Sequence, residues 1–284
     1  MVTATSMTPR MARETVAGWL THLKPRLAEV LPAALPLRRM AQVALTESVR
    51  NPKLAECTPQ SFASALILCA ELGLEPSSGL GKAYLIPRWN ARTRQTECTL
   101  QVGYKGYCEL ALRSGKISRL NAQVVYRDEI ARGVFRATIE PPAIHHDYSA
   151  DDIERTDTAL VLAYATAQLR DGSYAQVILT RAQIDARRMR SGQSGSGGPW
   201  ATDYSAMARK SALRALLTSG LVPLASDQPV ARAVVAEDDA DRGDGAALRF
   251  RSVESSDPTM AADDDADVID VPADVDAPAD APAE

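Results

Sequence analysis

Residues 71–106 read ELGLEPSSGLGKAYLIPRWNARTRQTECTLQVGYKG, and this stretch decides the fold. It starts with the end of an apolar helix and continues through a glycine-rich connection into two strands that flank a basic loop. The second strand leads into a glycine turn that carries Lys105. We interpret the stretch as a scaffold that presents backbone amides and cations to a polyanion.

Helices are predicted on the N-terminal side of this stretch. An apolar stripe that includes Met11 and Trp19 predicts the first helix, which Pro25 is expected to kink. A second helix is expected over residues 36–50. Thr58 is expected to cap a third helix, which should end at Gly73.

Strands predominate after residue 82. Short apolar and β-branched runs predict four of them, over residues 83–88, 97–103, 122–127 and 133–139, with a helix over 104–114. Two further strands alternate in polarity around Asp171-Gly172, a dipeptide suited to a type I′ hairpin turn. Thr180 and Gln183 have the spacing of a capping box, which should start a helix that ends near Ser191. A flexible loop over 191–198 and a last helix over 200–219 follow.

Runs of strands with helices before and after them predict an α+β fold with a mainly antiparallel sheet flanked by helices. We divide the chain into an N-terminal helical region (1–60), a core (61–225) and an acidic tail (226–284). From residue 235 onward the sequence is rich in Asp, Ala and Pro. Such a segment cannot bury enough apolar surface to offset its ordering entropy, so we expect it to be disordered.

Charge is distributed unevenly along the chain. The formal net charge is −4, but residues 236–284 contain 16 acidic and 3 basic side chains, while the rest contains 29 basic and 20 acidic ones. A basic body with an acidic tail is typical of a nucleic-acid-binding protein. The tail could serve solubility alone, contact partners, or fold back on a basic groove as a phosphate mimic.

The glycine turn is the first candidate DNA site. Tyr104 and Lys105 stand where a helix begins, and a cation there opposes the helix dipole, a cost that a functional role would explain. Gly103 and Gly106 would let a phosphate approach the backbone closely. The alternative is a turn whose lysine is simply solvated.

The loop between the first two strands is the second candidate. It holds Arg88, Trp89, Arg92 and Arg94. Cations that follow a backbone, beside a ring on which a base can stack, form the usual sequence-independent single-strand site. A basic hairpin tip can also serve solubility alone.

Further candidate cations lie on helices and in one turn. Lys210 and Arg214 share a face of the last helix, beside Arg209, although like charges at this spacing destabilise a helix. The remaining candidates are Arg187, Arg188, Lys116 and Arg119. The two arginines, like Arg190 beside them, lie near a helix C-terminus, where the dipole alone favours cations.

The sequence contains few candidate catalytic or metal-binding residues. His145 and His146 are adjacent, so on a strand they point to opposite faces and do not form a metal site. A phosphate loop needs Ser or Thr after its Gly-Lys pair, whereas Gly81-Lys82 is followed by Ala83, so this pattern is absent. The sequence also lacks the carboxylate–lysine cluster typical of metal-dependent nucleases. We therefore expect a binding protein that is not an enzyme and uses no cofactor or metal.

Four scattered cysteines and the lack of a leader segment favour a reducing cytoplasm. No apolar run approaches the ~20 residues that span a bilayer, so no membrane segment is expected.

The motifs resemble those of a known family, the RecT proteins, over residues 10–225. The resemblance rests on Glu71-Leu72-Gly73-Leu74-Glu75-Pro76, Leu80-Gly81, Ala83-Tyr84-Leu85-Ile86-Pro87, Gly103-Tyr104-Lys105-Gly106, Asp171-Gly172, Pro199-Trp200, Lys210 and Leu213-Arg214. RecT-type proteins are phage recombinases that anneal single-stranded DNA without ATP.

This resemblance implies an ATP-independent annealing protein from a phage or prophage. It implies a RecT-like annealing fold, a homo-oligomer (ring or helical filament) that holds single-stranded DNA and the annealed duplex, and two partners, an exonuclease and the host single-stranded DNA-binding protein. The N-terminal helices are expected to form subunit contacts, because something must cover their apolar stripe. Two other classes remain open: a passive single-stranded DNA-binding protein and an exonuclease.

Overall fold

The computed structural model describes residues 7–33, 35–147, 154–191, 198–224 and 229–242, with side chains up to residue 237. The helices are α1 (Pro9–Val30), α2 (Leu37–Arg50), α3 (Pro59–Leu72), α4 (Tyr104–Arg113), α5 (Arg127–Ala131), α6 (Arg181–Arg190), α7 (Pro199–Thr202), α8 (Tyr204–Thr218) and α9 (Pro229–Arg242), with a 3-10 turn at Pro52–Glu56. The strands are β1 (Ala83–Asn90), β2 (Gln95–Val102), β3 (Ile117–Tyr126), β4 (Phe135–Thr138), β5 (Ala143–His146), β6 (Leu160–Leu169) and β7 (Tyr174–Thr180). Within these residues, no helix is both long and apolar enough to cross a membrane.

The strands form three antiparallel sheets, which confirms the α+β prediction. The largest has the order β3-β6-β7, and β1-β2 and β4-β5 are separate hairpins. Helix α8 packs on the three-stranded sheet, and α3 packs on β2. Strand β5 and helices α5 and α9 were not predicted from the sequence.

The N-terminal helices belong to the same hydrophobic core as the sheets. The buried stripe of α1 consists of Ala12, Val16, Leu20, Leu23 and Leu27. It packs on α2, α3 and the 3-10 turn, while Met11, which the sequence analysis placed in the stripe, is 45% exposed. Because the chain covers this stripe itself, the argument that a second subunit must cover it no longer holds.

Helix α3 begins and ends as predicted. The Thr58 hydroxyl accepts a hydrogen bond from the Ser61 N–H at 3.3 Å, and Gly73 ends the helix with φ of 64°. The Ser61 hydroxyl in turn accepts a hydrogen bond from the Cys98 N–H at 2.9 Å. This bond ties the start of α3 to β2 and fixes the hairpin β1-β2 on the helical layer.

The β6-β7 hairpin is present, but its turn is not type I′. That turn needs positive φ at two residues, whereas Gly172 has φ of 87° and Arg94 is the sole non-glycine with positive φ in the described part of the chain. Gly172 N donates to Leu169 O at 3.2 Å, and Leu169 N donates to Ser173 O at 2.9 Å. These bonds define a three-residue loop with Gly172 at a bulge.

The last predicted helix is divided in two. Asp203 interrupts it between α7 and α8, and its carboxylate caps α8 by accepting from the Ala206 N–H at 3.0 Å. The predicted flexible loop 191–198 falls largely on residues 192–197, which lie outside the described residues.

The tail starts later than residue 226. Helix α9 packs on β2, α3, α4 and α8, and it buries Val230, Ala233, Val234 and Ala236. These small apolar side chains recur at helical spacing, a signal that the acidic composition of the following residues obscures in the sequence. The prediction of disorder from residue 235 onward is wrong for residues 235–242, which belong to α9. The rest of the predicted tail, residues 243–284, lies outside the described residues.

Candidate nucleic-acid interface

Two adjoining cavities of about 500 and 530 Å³ form one groove. Gln101, Met207 and Lys210 line both cavities and so connect them. The groove runs between the β1-β2 hairpin and α8, with the start of α4 and the end of α6 at its sides. We call it the basic groove.

The two main walls follow from the periodicity of their elements. Tyr84, Ile86 and Arg88 alternate along β1, so all three point into the groove. The wall from α8 is one helical stripe, which consists of Met207, Lys210, Ser211, Arg214, Ala215 and Thr218. Ala208, Ala212 and Leu216 on the opposite side of α8 are buried.

Seven basic side chains line the groove: Arg88, Lys105, Arg187, Arg190, Arg209, Lys210 and Arg214. Tyr104 also lines it. The structure thus brings together seven of the thirteen sequence-predicted site residues and adds Arg190, Tyr84 and Gln101.

The other six predicted residues line neither cavity: Trp89, Arg92, Arg94, Lys116, Arg119 and Arg188. Trp89 is 65% exposed on the β1-β2 hairpin. The loop beyond it is organised by Asn90, whose side-chain oxygen accepts from the Arg92 N–H at 3.0 Å. Lys116 and Arg119 are exposed at the start of β3.

The groove concentrates positive charge. Burial, together with the neighbouring Arg190 and Arg214 guanidinium groups, lowers the pKa of Arg187. Such a shift arises where cations crowd together, because each disfavours the charged form of the others. An anion that enters this end of the groove is therefore attracted by several cations at once.

At the other end of the basic groove, the aromatic ring of Tyr104 lies near the Arg209 cation. Burial is the main cause that raises the pKa of Tyr104 to about 12. The guanidinium carbon of Arg209 lies 6.0 Å from the ring centroid. Rings and guanidinium groups are the surfaces on which unpaired bases stack.

The glycines of the turn allow close packing within the chain. A Cβ at Gly103 would lie 2.2 Å from the Gly81 carbonyl oxygen, and one at Gly106 would lie 2.1 Å from the Lys82 carbonyl oxygen. The Gly103 N–H donates to Lys82 O at 2.8 Å. The start of α4 is thus held against the glycine-rich connection, while exposed Lys105 remains available to a ligand.

Lys210, one of the candidate DNA-binding cations predicted from the sequence, is largely buried. It is 9% exposed, and its Nζ donates to the Glu237 carboxylate at 3.1 Å. Arg214 Nε lies 3.8 Å from the same carboxylate. Sequence reasoning missed Glu237, because only the helical spacing of α9 distinguishes it from the acidic residues that follow.

His146 has a structural role. His146 Nδ1 lies 3.1 Å from the Tyr164 hydroxyl oxygen, and its Nε2 lies 3.5 Å from the Glu129 carboxylate. Among the described residues, no group of three or more His, Cys, Asp or Glu side chains could hold a metal ion.

A cation-lined groove on an antiparallel α+β scaffold is typical of proteins that bind polyanions. The chain matches the model of the RecT family over residues 38–247, and it belongs to that family. It is 38% identical to Protein RecT of Escherichia coli K12 over 197 residues, which are 68% of this chain and 70% of that protein. It is 28% identical to the uncharacterized protein YqaK of Bacillus subtilis 168 over 188 residues, which are 66% of this chain and 59% of that protein. Membership implies a role in single-strand DNA annealing.

Proposed function

We propose that the protein is an ATP-independent recombinase that holds single-stranded DNA in the basic groove and anneals it to a complementary strand. The observation that carries the proposal is the convergence of seven basic side chains from β1, α4, α6 and α8 on one groove. Membership of the RecT family supports the same activity.

The physical role of the groove is to bring two polyanions together. Cations along the groove displace counterions from the phosphate backbone and reduce the repulsion between two strands. The Tyr104 ring and the Arg209 guanidinium offer stacking surfaces that keep bases apart and extended. Watson–Crick pairing then supplies all sequence information, so neither a nucleotide cofactor nor a catalytic group is needed.

The assembly and partners are also proposals. A homo-oligomer, either a ring or a helical filament, would align the grooves of neighbouring subunits into one track for the strand. An exonuclease would supply the single strand, and the host single-stranded DNA-binding protein would be displaced from it, in phage-type recombination within a bacterial cytoplasm.

An annealing assay without ATP tests the proposal against its main rival. Purified protein is mixed with two complementary fluorescent oligonucleotides, and both binding and duplex formation are followed. We expect fast duplex formation. Binding without faster pairing would make the protein a passive single-strand binder, and Mg²⁺-dependent loss of labelled DNA would make it a nuclease.

A further inference from the structure

Three hydrogen-bond donors and the Arg214 guanidinium, from three elements, converge on the carboxylate of Glu237, which is 6% exposed. Oε1 accepts from Lys210 Nζ at 3.1 Å and from the Val102 N–H at 2.7 Å. Oε2 accepts from the Tyr107 hydroxyl at 2.9 Å and lies 3.8 Å from Arg214 Nε. The donors belong to β2, α4 and α8, whereas the carboxylate belongs to α9.

These donors form an anion site that requires an occupant. Lys210 and Arg214 contribute two positive charges against the single negative charge of Glu237. Val102 is fully buried, and its N–H donates to Glu237; a buried donor left without an acceptor costs about 1–3 kcal/mol. Removing Glu237 from the site is therefore unfavourable unless another anion with two acceptor oxygens replaces it.

A DNA phosphodiester meets this requirement, since it carries one negative charge and two non-bridging oxygens, as a carboxylate does. Lys210, Arg214 and Glu237 all line the basic groove. Resting on the function proposed above, we propose that these donors form a phosphate-binding subsite for the DNA backbone, which Glu237 occupies as a phosphate mimic until α9 moves away.

The contacts that hold α9 in place are compatible with its displacement. Its buried side chains, from Val230 to Ala236, are small, and a further ion pair of α9 joins Arg232 to Glu71, with side chains 41% and 25% exposed. Exposed pairs of this kind contribute about 0–1 kcal/mol.

Charge makes binding of DNA and docking of α9 mutually exclusive. Glu237 is the first of the 16 acidic residues that follow residue 235. Once a strand occupies the groove, its phosphates repel this acidic segment. Exchange of one anion for the other at the subsite would then couple DNA binding to release of the tail.

The first test compares oligo(dT) affinity of the intact chain with that of Glu237→Gln. The amide keeps the size of the side chain but removes the charge that competes with phosphate. We expect affinity to rise about tenfold at low salt. The slope of log K against log salt concentration should steepen by about 0.7, the value for one more phosphate contact on a single strand.

Glu254→Gln is the matched control, because it removes the same charge from the acidic segment. We expect it to leave affinity within about twofold, because it leaves every group of the subsite unchanged. An equal gain in both variants would mean that net charge alone sets affinity, and no gain in Glu237→Gln would mean that Glu237 only anchors α9; either result overturns the subsite.

A second test uses the unaltered protein, so it does not depend on how the variant folds. Oligo(dT) should accelerate tryptic cleavage after Arg232 and Arg242, both on α9, while it protects the groove. Unchanged or slower cleavage at these positions would overturn the displacement. Inorganic phosphate at the same phosphate concentration should not accelerate cleavage; if it does, the site takes free phosphate and not the DNA backbone.

The outcomes separate this inference from the proposed function. If the unaltered protein binds oligo(dT) and Glu237→Gln binds no tighter, the subsite alone is wrong. If neither protein binds, both proposals are wrong. Binding by Glu237→Gln alone would support both and would mean that α9 closes the groove fully.

Discussion

Single residues in the glycine turn decide how closely α4 approaches the connection before β1. A Cβ at Gly106 would lie 2.1 Å from the Lys82 carbonyl oxygen and 2.8 Å from Val102 Cγ1. The sequence revealed that glycine matters here, but not why. The expected reason was the approach of a phosphate, whereas the backbone that approaches belongs to the chain itself.

We expect Gly106→Ala to destabilise the fold by about 1–3 kcal/mol, because overpacking forces the backbone to shift. Gly18→Ala is the control: Gly18 is exposed on α1, and a Cβ there has no atom within 4 Å. It should stabilise the protein by about 0.5–1 kcal/mol through helix propensity. Urea unfolding measures both, and equal effects of the two changes would contradict the packing account.

At the scale of elements, local rules predicted starts and ends well. Thr58 and Gly73 delimit α3, and Thr180 with Gln183 forms the capping box of α6. Such signals can be read from a sequence because each involves neighbouring residues. The predicted type of the β6-β7 turn was wrong, because the bulge at Gly172 depends on how the strands pair and not on the Asp171-Gly172 dipeptide alone.

Removing the cap of α3 tests the local rule. Thr58→Ala should lower the free energy of unfolding by about 1 kcal/mol, because the Ser61 N–H loses its acceptor. Thr58→Ser keeps the hydroxyl and should recover most of this loss. Thermal unfolding compares the variants, and an alanine variant as stable as the unaltered protein would show that the cap is not needed.

At the scale of the whole molecule, the basic groove could be anticipated only in part. The candidate cations were identified from the sequence, yet nothing in it shows that Arg88 and Arg187, 99 positions apart, line the same cavity. The pairing of Lys210 with Glu237 was hidden for the same reason. Packing between elements far apart in the sequence determines which charged side chains face a ligand and which form ion pairs within the fold.

The number of groove cations sets the salt dependence of DNA binding. Lys210 and Arg214 pair with Glu237, and the groove has five further cations: Arg88, Lys105, Arg187, Arg190 and Arg209. If each neutralises one phosphate, log K for oligo(dT) should fall with log salt concentration with a slope of about −3.5. Fluorescence anisotropy over a salt series measures it, and a slope near zero would exclude backbone binding in the groove.

The measurement that tests the central claim most directly is the annealing rate of complementary oligonucleotides without ATP for two double variants of equal charge change. Lys105→Ala with Arg209→Ala removes two cations of the groove, whereas Lys116→Ala with Arg119→Ala removes two exposed cations that line neither cavity. We predict that the first pair slows annealing at least about tenfold and that the second changes it little. Equal effects of both pairs, or none from the first, would contradict the assignment of annealing to the basic groove.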